Sequence, residues 1–92
     1  MTKRQLVEVV ARKAHFTTKA TREVIDVFLD EIGRALSKGE KRIVLSSFGV
    51  FRVGWVEGKT VKIPNTEKIV TIKRHRIPKF SPGERFRKQV SK

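Results

Sequence analysis

Two hydrophobic periodicities divide the chain. In the first 40 residues apolar side chains recur every three or four positions, which predicts helices. From Lys41 onward β-branched and aromatic residues alternate with turn formers, which predicts strands. The pattern therefore indicates an α+β chain that begins with a helix hairpin and continues as a sheet.

The first half contains clear helix boundaries. Thr2 and Gln5 have capping-box spacing, which predicts a first helix of about three turns. Thr17 can cap a second helix, and Gly39 can end it. In that second helix, charges four residues apart predict two surface ion pairs, Arg22 with Asp26 and Asp30 with Arg34.

The apolar stripe of the second helix is too broad to be covered by one neighbouring helix. It consists of Val24, Ile25, Phe28, Leu29, Ile32, Ala35 and Leu36. A chain of 92 residues without cysteine also has only a marginal core and no disulfide to reinforce it. Both observations predict a subunit interface on this helix.

The second half reads as short strands around a protruding hairpin. Strands are predicted at 43–45, 50–53 and 69–72. Between them, residues 59–67 have two β-like flanks around Pro64 and Asn65 and nothing that could anchor a core, which predicts an exposed arm.

The end of the chain predicts a short helix. Ser81 and Glu84 have capping-box spacing with Pro82 at the first helical position, and Phe86 and Val90 then face inward. No repeat or low-complexity linker interrupts the chain, so residues 1–92 are interpreted as one domain. Residues 1–40 form its helical dimerisation part, and residues 41–92 form its sheet, arm and terminal helix.

The charge predicts a polyanion as partner. Twenty-two Lys and Arg against nine Asp and Glu give a net charge of +13. Up to Leu45 there are ten basic and six acidic residues, whereas from Ser46 there are twelve basic and only three acidic. The binding surface is therefore expected mainly in the second half.

Several function classes are disfavoured by what the sequence lacks. It has no Cys or Tyr, no Gly-rich phosphate loop and no metal-ligand constellation, since His15 and His75 are isolated. We therefore expect no enzyme, no cofactor, no metal site and no small-molecule substrate. Nor is there an apolar stretch long enough for a signal sequence or a membrane span, or a strongly cationic amphipathic helix for a membrane surface, so the chain is expected to be soluble and cytoplasmic.

Three local motifs, in order and at matching separations, resemble the HU/IHF family of bacterial histone-like DNA-binding proteins over essentially the whole chain. They correspond to the family's Gly-Phe-Gly-x-Phe turn, its Arg-Asn-Pro-x-Thr arm tip and its Pro-x-Phe-x-x-Gly approach to the last helix. In this chain they read Ser47-Phe48-Gly49-Val50-Phe51, Lys62-Ile63-Pro64-Asn65-Thr66 and Ile77-Pro78-Lys79-Phe80-Ser81-Pro82-Gly83. The arm departs from the family pattern at Val61, Ile63 and Glu67, where the family has Gly, Asn and Gly.

This resemblance implies a fold and a function. The fold is a helix hairpin, a three-stranded antiparallel β-sheet with a protruding β-hairpin arm and a short C-terminal helix, in an intertwined dimer. The function is that of a nucleoid-associated architectural protein, which binds double-stranded DNA in the minor groove through basic arms and bends and compacts it with low sequence specificity. HU and integration host factor (IHF) are themselves standard examples of this binding mode.

The resemblance and the charge pattern together assign two sets of residues. Those expected to bind DNA are Lys3, Arg52, Lys59, Lys62, Ile63, Pro64, Asn65, Thr66, Lys68, Lys73, Arg74, Arg76, Lys79 and Arg87. Those expected in the dimer core are Phe28, Ile32, Phe48, Phe51 and Phe80. Pro64 is interpreted as a wedge between stacked bases, and Ile63 either as a second wedge or as packing against the opposite arm strand.

The sequence is compatible with several alternatives. A basic RNA-binding or ribosomal protein would explain the charge equally well, although the exposed apolar pair Ile63 and Pro64 at the tip of a basic hairpin favours the duplex. The partner subunit is either identical or a paralogue. Binding is either general, as in HU, or site-preferring, as in IHF, and the source is either a bacterium or a phage.

Overall fold

The computed structural model describes all 92 residues, which form three helices and five strands. The helices are α1 (Lys3–Ala14), α2 (Thr18–Lys38) and α3 (Glu84–Val90). The strands are β1 (Arg42–Leu45), β2 (Gly49–Val56), β3 (Lys59–Lys62), β4 (Ile69–Ile72) and β5 (His75–Pro82). The predicted α+β class is confirmed, with a helix hairpin before the strands and a short helix after them, whereas β5 was not among the strands predicted from the sequence pattern. The chain divides into two compact units, Met1–Lys38 and Gly39–Lys92, called here the helical unit and the sheet unit.

Side-chain caps start both helices of the helical unit. The Thr2 hydroxyl accepts from the Gln5 amide at 3.2 Å and the Gln5 side chain accepts from the Thr2 amide at 2.9 Å, so the predicted capping box is formed. The Thr17 hydroxyl accepts from the Ala20 amide at 3.1 Å at the start of α2. Gly39, with φ 124°, follows the end of α2 as expected.

One of the two predicted ion pairs of α2 is formed and the other is wrong. Arg34 pairs with Asp30 at 3.0 Å as expected, and this hydrogen bond raises the pKa of the Arg34 guanidinium. Asp26 instead binds Lys3 at 2.8 Å. The packing of α1 on α2 brings Lys3 to this carboxylate, which the spacing within one helix cannot reveal.

The interior of the helical unit is small. Val7, Ala11 and Leu36 are its only buried apolar residues, together with Thr21, whose hydroxyl donates to the Thr17 carbonyl at 2.8 Å. Most of the broad stripe of α2 remains open, and Phe28 is 51% exposed. One neighbouring helix thus leaves the stripe uncovered, as its width predicts.

The sheet unit is built around an antiparallel sheet of order β1-β2-β5. A tight turn joins β1 to β2, with the Phe48 amide donating to the Leu45 carbonyl at 2.9 Å. Ser47 occupies the third position of this turn with φ 69°, a conformation that favours glycine. Gly49 follows where a Cβ would lie only 2.6 Å from the Ser81 carbonyl oxygen, so close strand packing requires glycine there.

Four phenylalanines pack on the sheet and α3. Phe48 stacks on Phe86 with ring centroids 4.6 Å apart, and Phe51 contacts Phe80 at 4.8 Å. Phe48 and Phe80 also meet, at 5.4 Å. This aromatic cluster is nevertheless open, because Phe48 is 42% and Phe80 37% exposed.

The predicted start of the last helix is wrong. Ser81 and Pro82 pair with Val50 and Gly49 as the last residues of β5, so neither belongs to α3. Gly83 is the N-cap, and it makes no side-chain cap hydrogen bond. Pairing with β2 therefore prevails over the local capping signal. Val90 does not face inward either, since it is 70% exposed.

No helix combines the length and the apolar character needed to cross a bilayer.

Candidate nucleic-acid interface

The predicted arm is a separate two-stranded hairpin. β3 and β4 pair only with each other, in the register Lys59 with Ile72 through Lys62 with Ile69. The arm is longer than the residues 59–67 proposed from the sequence, because its second strand extends to Ile72. Every residue from 59 to 71 is exposed. An isolated two-stranded hairpin of this kind has little intrinsic stability.

The arm tip is a tight turn closed by residues 63–66. The Thr66 amide donates to the Ile63 carbonyl at 3.2 Å, Pro64 holds the second position and Asn65 the third with φ 64°. These features define a type II β-turn, in which proline supplies the fixed φ and asparagine tolerates the left-handed region. The Thr66 hydroxyl adds a second hydrogen bond to the Ile63 carbonyl at 3.0 Å.

The turn presents apolar groups at the far end of the arm and cations behind them. Ile63 is 37% exposed and Pro64 is exposed as well, while the Ile63 backbone is held by a hydrogen bond to the Lys68 carbonyl. No carboxylate lies within 4.0 Å of any of the predicted arm lysines, Lys59, Lys62, Lys68 and Lys73. These cations are therefore available to phosphates.

A row of three cations crosses the face of the sheet opposite the aromatic cluster. Arg42 on β1 is directly opposite Arg52 on β2, which is opposite Lys79 on β5. Like charges in register destabilise a sheet, so the fold gains nothing from this row. Arg52 and Lys79 were expected in the interface. Arg42 was not, because its alignment becomes visible only once the register is known.

Two contacts orient this row. The Arg52 Nε donates to the Ser81 hydroxyl at 3.4 Å. The stem of Lys79 lies over Gly54, where a Cβ would come within 2.6 Å of the lysine Cε. The absence of a side chain at Gly54 thus makes room for Lys79 to lie along the sheet.

The arm root holds Arg74 differently from the other cations. Its Nε donates to Glu57 at 3.1 Å, and its guanidinium carbon lies 3.9 Å from the centroid of the Trp55 ring. Arg76 pairs across the strands with Trp55, and the two line a cavity of about 350 Å³ with Val53 and Lys41. Neither Trp55 nor Glu57 was expected to act on Arg74.

The remaining predicted contacts lie on helices. Lys3, at the start of α1, is exposed and paired with Asp26 at 2.8 Å. Arg87 is exposed on α3, where its carbonyl accepts from the Ser91 hydroxyl at 2.7 Å. The structure thus brings together the arm cations and the sheet cations within the sheet unit, whereas Lys3 belongs to the helical unit.

The residues predicted for the dimer core fall into two sets. Phe48, Phe51 and Phe80 belong to the aromatic cluster of the sheet unit. Phe28 and Ile32 lie on the open stripe of α2. All five are incompletely buried within the single chain.

Comparison with known proteins places this geometry in a family. The profile of the family described as "Bacterial DNA-binding protein" matches residues 1–91. The chain is 37% identical over 90 residues to DNA-binding protein HU of Thermotoga maritima, covering 98% of this chain and 99% of that protein. It is 30% identical over 92 residues to integration host factor subunit alpha of Haemophilus influenzae, covering 100% of this chain and 95% of that protein.

The fold agrees with the sequence comparison. An Anabaena HU–DNA cocrystal structure superposes with a TM-score of 0.88 at 34% identity, covering 99% of this chain and 98% of that one. HU from Thermotoga maritima superposes with a TM-score of 0.70 at 28% identity, covering 99% of this chain and all of the other. With the arm, the three-stranded sheet and the three helices all in place, the chain belongs to the family of bacterial DNA-binding proteins that includes HU and the subunits of integration host factor.

Proposed function

We propose that this chain is an architectural DNA-binding protein whose arm enters the minor groove of duplex DNA and bends the duplex with little regard to sequence. The observation that carries the proposal is the arm itself, an exposed hairpin with unpaired lysines along its strands and Ile63 and Pro64 at its tip. HU and IHF are the standard examples of this mode of binding, so the mechanism is carried over from the family.

Pro64 is the wedge. A proline ring is rigid and has no N–H that would be left without a partner between unstacked bases. Its place at the second position of the type II turn puts the ring at the outermost point of the hairpin. Unstacking one base step costs a few kcal/mol, which contacts along the bent duplex must offset. Ile63 lies beside the ring and widens the apolar tip, and Asn65 and Thr66 keep the turn in shape.

The cations bind phosphates and the electronegative minor groove. Those of the arm and its root enter the groove or line its edges, and those of the sheet and of α3 contact the flanking backbone. The proposed set is Lys3, Arg52, Lys59, Lys62, Lys68, Lys73, Arg74, Arg76, Lys79 and Arg87, to which the sheet register adds Arg42. Affinity therefore falls steeply with salt and differs little among duplex sequences, because minor-groove edges distinguish only A·T from G·C.

The active species is a dimer. The aromatic cluster and the stripe of α2 leave large apolar side chains open to solvent, with Phe28 51% and Phe48 42% exposed. A chain of this size is only marginally stable while so much apolar surface is exposed to water. A second chain that covers both surfaces buries this area and completes the core. Phe28, Ile32, Phe48, Phe51 and Phe80 form the interface, with either an identical chain or a paralogue. Residues 1–92 thus act as one domain, with the helical part dedicated to dimerisation.

The protein acts in the cytoplasm on the nucleoid and has no catalytic activity. Its role is mechanical, since the groups that contact DNA are cations and an apolar tip rather than acids, bases or nucleophiles.

The bend angle tests the proposal. Energy transfer between dyes at the ends of a short duplex is measured for the parent protein and for Pro64→Ala, with nicked duplex and structured RNA as competitors. Transfer rises when the parent binds, nicked duplex competes better than linear duplex, and RNA competes weakly. Pro64→Ala reduces the rise in transfer while leaving the salt dependence unchanged, because no charge is lost. Preference for structured RNA, or an unchanged bend with Pro64→Ala, overturns the proposal.

A further inference from the structure

The two chain segments that connect the arm to the sheet lie against each other. Glu57 and Gly58 link β2 to β3, and Lys73 and Arg74 link β4 to β5. Gly58 is so close to the second link that a Cβ there would lie 3.0 Å from the Ile72 carbonyl oxygen and 3.1 Å from the Arg74 amide nitrogen. Movement of the arm relative to the three-stranded sheet must pass through these two links.

Arg74 joins the two links and is held by interactions of two kinds. A charge-assisted hydrogen bond of 3.1 Å connects its Nε to Glu57, on the opposite link. The face of its guanidinium lies over Trp55, 3.9 Å from the ring centroid, near the end of β2. All three side chains are at least half exposed, so a ligand can reach them.

The two contacts leave Arg74 suited to an exchange of partners. Glu57 occupies one edge of the guanidinium with an anionic oxygen, and a DNA phosphate offers the same kind of acceptor. The Trp55 ring contacts the face of the guanidinium instead, and therefore does not compete with a phosphate for its N–H groups.

We propose that Trp55, Glu57 and Arg74 form a clasp at the arm root, in which a DNA phosphate replaces the Glu57 carboxylate when the duplex binds. This proposal rests on the proposed function. Trp55 is a positioning residue that keeps the guanidinium in place during the exchange. Glu57 holds Arg74 in the free protein and ties the two links together, so its displacement frees the arm root to adjust as the arm enters the groove.

The affinity test uses Glu57→Gln with Glu67→Gln as its matched control. Both changes remove one negative charge from the arm or its root, but Glu67 makes no ion pair. Glu57→Gln is expected to tighten binding to a short duplex about two- to fivefold beyond any effect of Glu67→Gln, because one exposed ion pair no longer has to break. In an Arg74→Ala background the two substitutions are expected to have equal effects, since the competition is gone.

A second measurement identifies the partner of Arg74 directly. The side-chain Nε–Hε resonance of Arg74, assigned with Arg74→Ala, is followed in the parent and in Glu57→Gln. The two free proteins are expected to differ, whereas their duplex complexes coincide, because a phosphate is the acceptor in both. Trp55→Leu is expected to weaken binding about two- to fivefold, and Trp55→Phe to restore it, because the ring face is what holds the guanidinium.

Three outcomes decide the matter. Different Arg74 signals in the two complexes, or equal effects of Glu57→Gln and Glu67→Gln with Arg74 present, overturn the clasp while leaving duplex binding intact. Failure of the parent to bind duplex overturns the proposed function and the clasp with it. Coincident signals together with the excess effect of Glu57→Gln support the clasp.

Discussion

The helical unit and the sheet unit treat their charges in opposite ways. The helical unit has eight basic and five acidic residues, and its cations Lys3, Arg4 and Arg34 each lie within 4.0 Å of a carboxylate. The sheet unit has fourteen basic and four acidic residues, and two of its cations, Arg74 and Lys88, lie within 4.0 Å of a carboxylate, at Glu57 and Glu84. Most carboxylates of the helical unit thus pair with cations of the same unit, whereas most cations of the sheet unit have no carboxylate within 4.0 Å and can bind an external polyanion.

The backbone of the helical unit also has more local stabilisation than the backbone of the sheet unit. α1 and α2 both start at a threonine that caps the helix, whereas α3 has no side-chain cap. Ser47 adds a left-handed conformation to the turn between β1 and β2. The sheet unit therefore has the less stabilised backbone of the two, and in the proposed complex a partner subunit covers its aromatic cluster and DNA covers its row of cations.

Among the changes that test whether the sheet unit depends on a partner subunit, replacement of Phe51 is expected to have the largest effect on the free energy of unfolding. Replacing it by Ala should cost about 3–5 kcal/mol in the proposed dimer, because the ring contacts Phe80 and a partner subunit on the aromatic cluster would bury it fully. Phe51→Leu should cost much less, because most of the volume is kept. Thermal unfolding at several protein concentrations measures both effects, and the parent midpoint should itself rise with concentration. A well-folded monomer at micromolar concentration would contradict the interface assignment.

Relief of backbone strain at Ser47 should have a smaller effect than the change at Phe51, and it should stabilise the protein. Ser47→Gly is expected to stabilise the protein by about 0.5–1 kcal/mol, because relief of about 1–2 kcal/mol of strain at φ 69° exceeds the cost of about 0.5–1 kcal/mol for the added freedom of the unfolded chain. Ser46→Gly is the matched control one residue earlier. It has no positive φ to relieve and should destabilise by about 0.5–1 kcal/mol through the added freedom of the unfolded chain. Denaturant midpoints compare the pair, and equal changes would argue against strain at Ser47.

Much of this architecture could be predicted from local chemistry. The Thr2 box, the Thr17 cap and the arm turn at Pro64 each depend on residues a few positions apart, so a sequence pattern contains them. The assignment of Ser81 failed because its backbone is paired with Val50, some thirty positions earlier, and a strand partner of that kind is absent from the local pattern.

The candidate DNA-binding surface shows the same difference between features that depend on local sequence and features that depend on strand pairing. Lysines of the arm were predicted from charge and position, because a hairpin without core residues exposes whatever it contains. Arg42 was missed, since it joins Arg52 and Lys79 only through the strand register. The contact of Arg74 with Trp55 and Glu57 was missed for a related reason, because closing the arm brings together residues up to 19 positions apart. An aromatic residue and an acid just before a basic hairpin were the only signal available.

The contrast between cations with and without a carboxylate partner predicts a change in the salt dependence of DNA binding that leaves the free energy of unfolding almost unchanged. Lys62→Ala and Arg34→Ala each remove one positive charge, so net charge alone would make them equivalent. Lys62 has no carboxylate within 4.0 Å, whereas Arg34 is bound by Asp30 and Glu31. Only Lys62 therefore has a free charge to neutralise a phosphate. The slope of log affinity against log salt should fall by about one unit per arm for Lys62→Ala and stay at the parent value for Arg34→Ala. Duplex titrations between low and moderate salt measure both slopes, and equal slopes for the two variants would mean that the protein binds through its overall charge rather than through the arm.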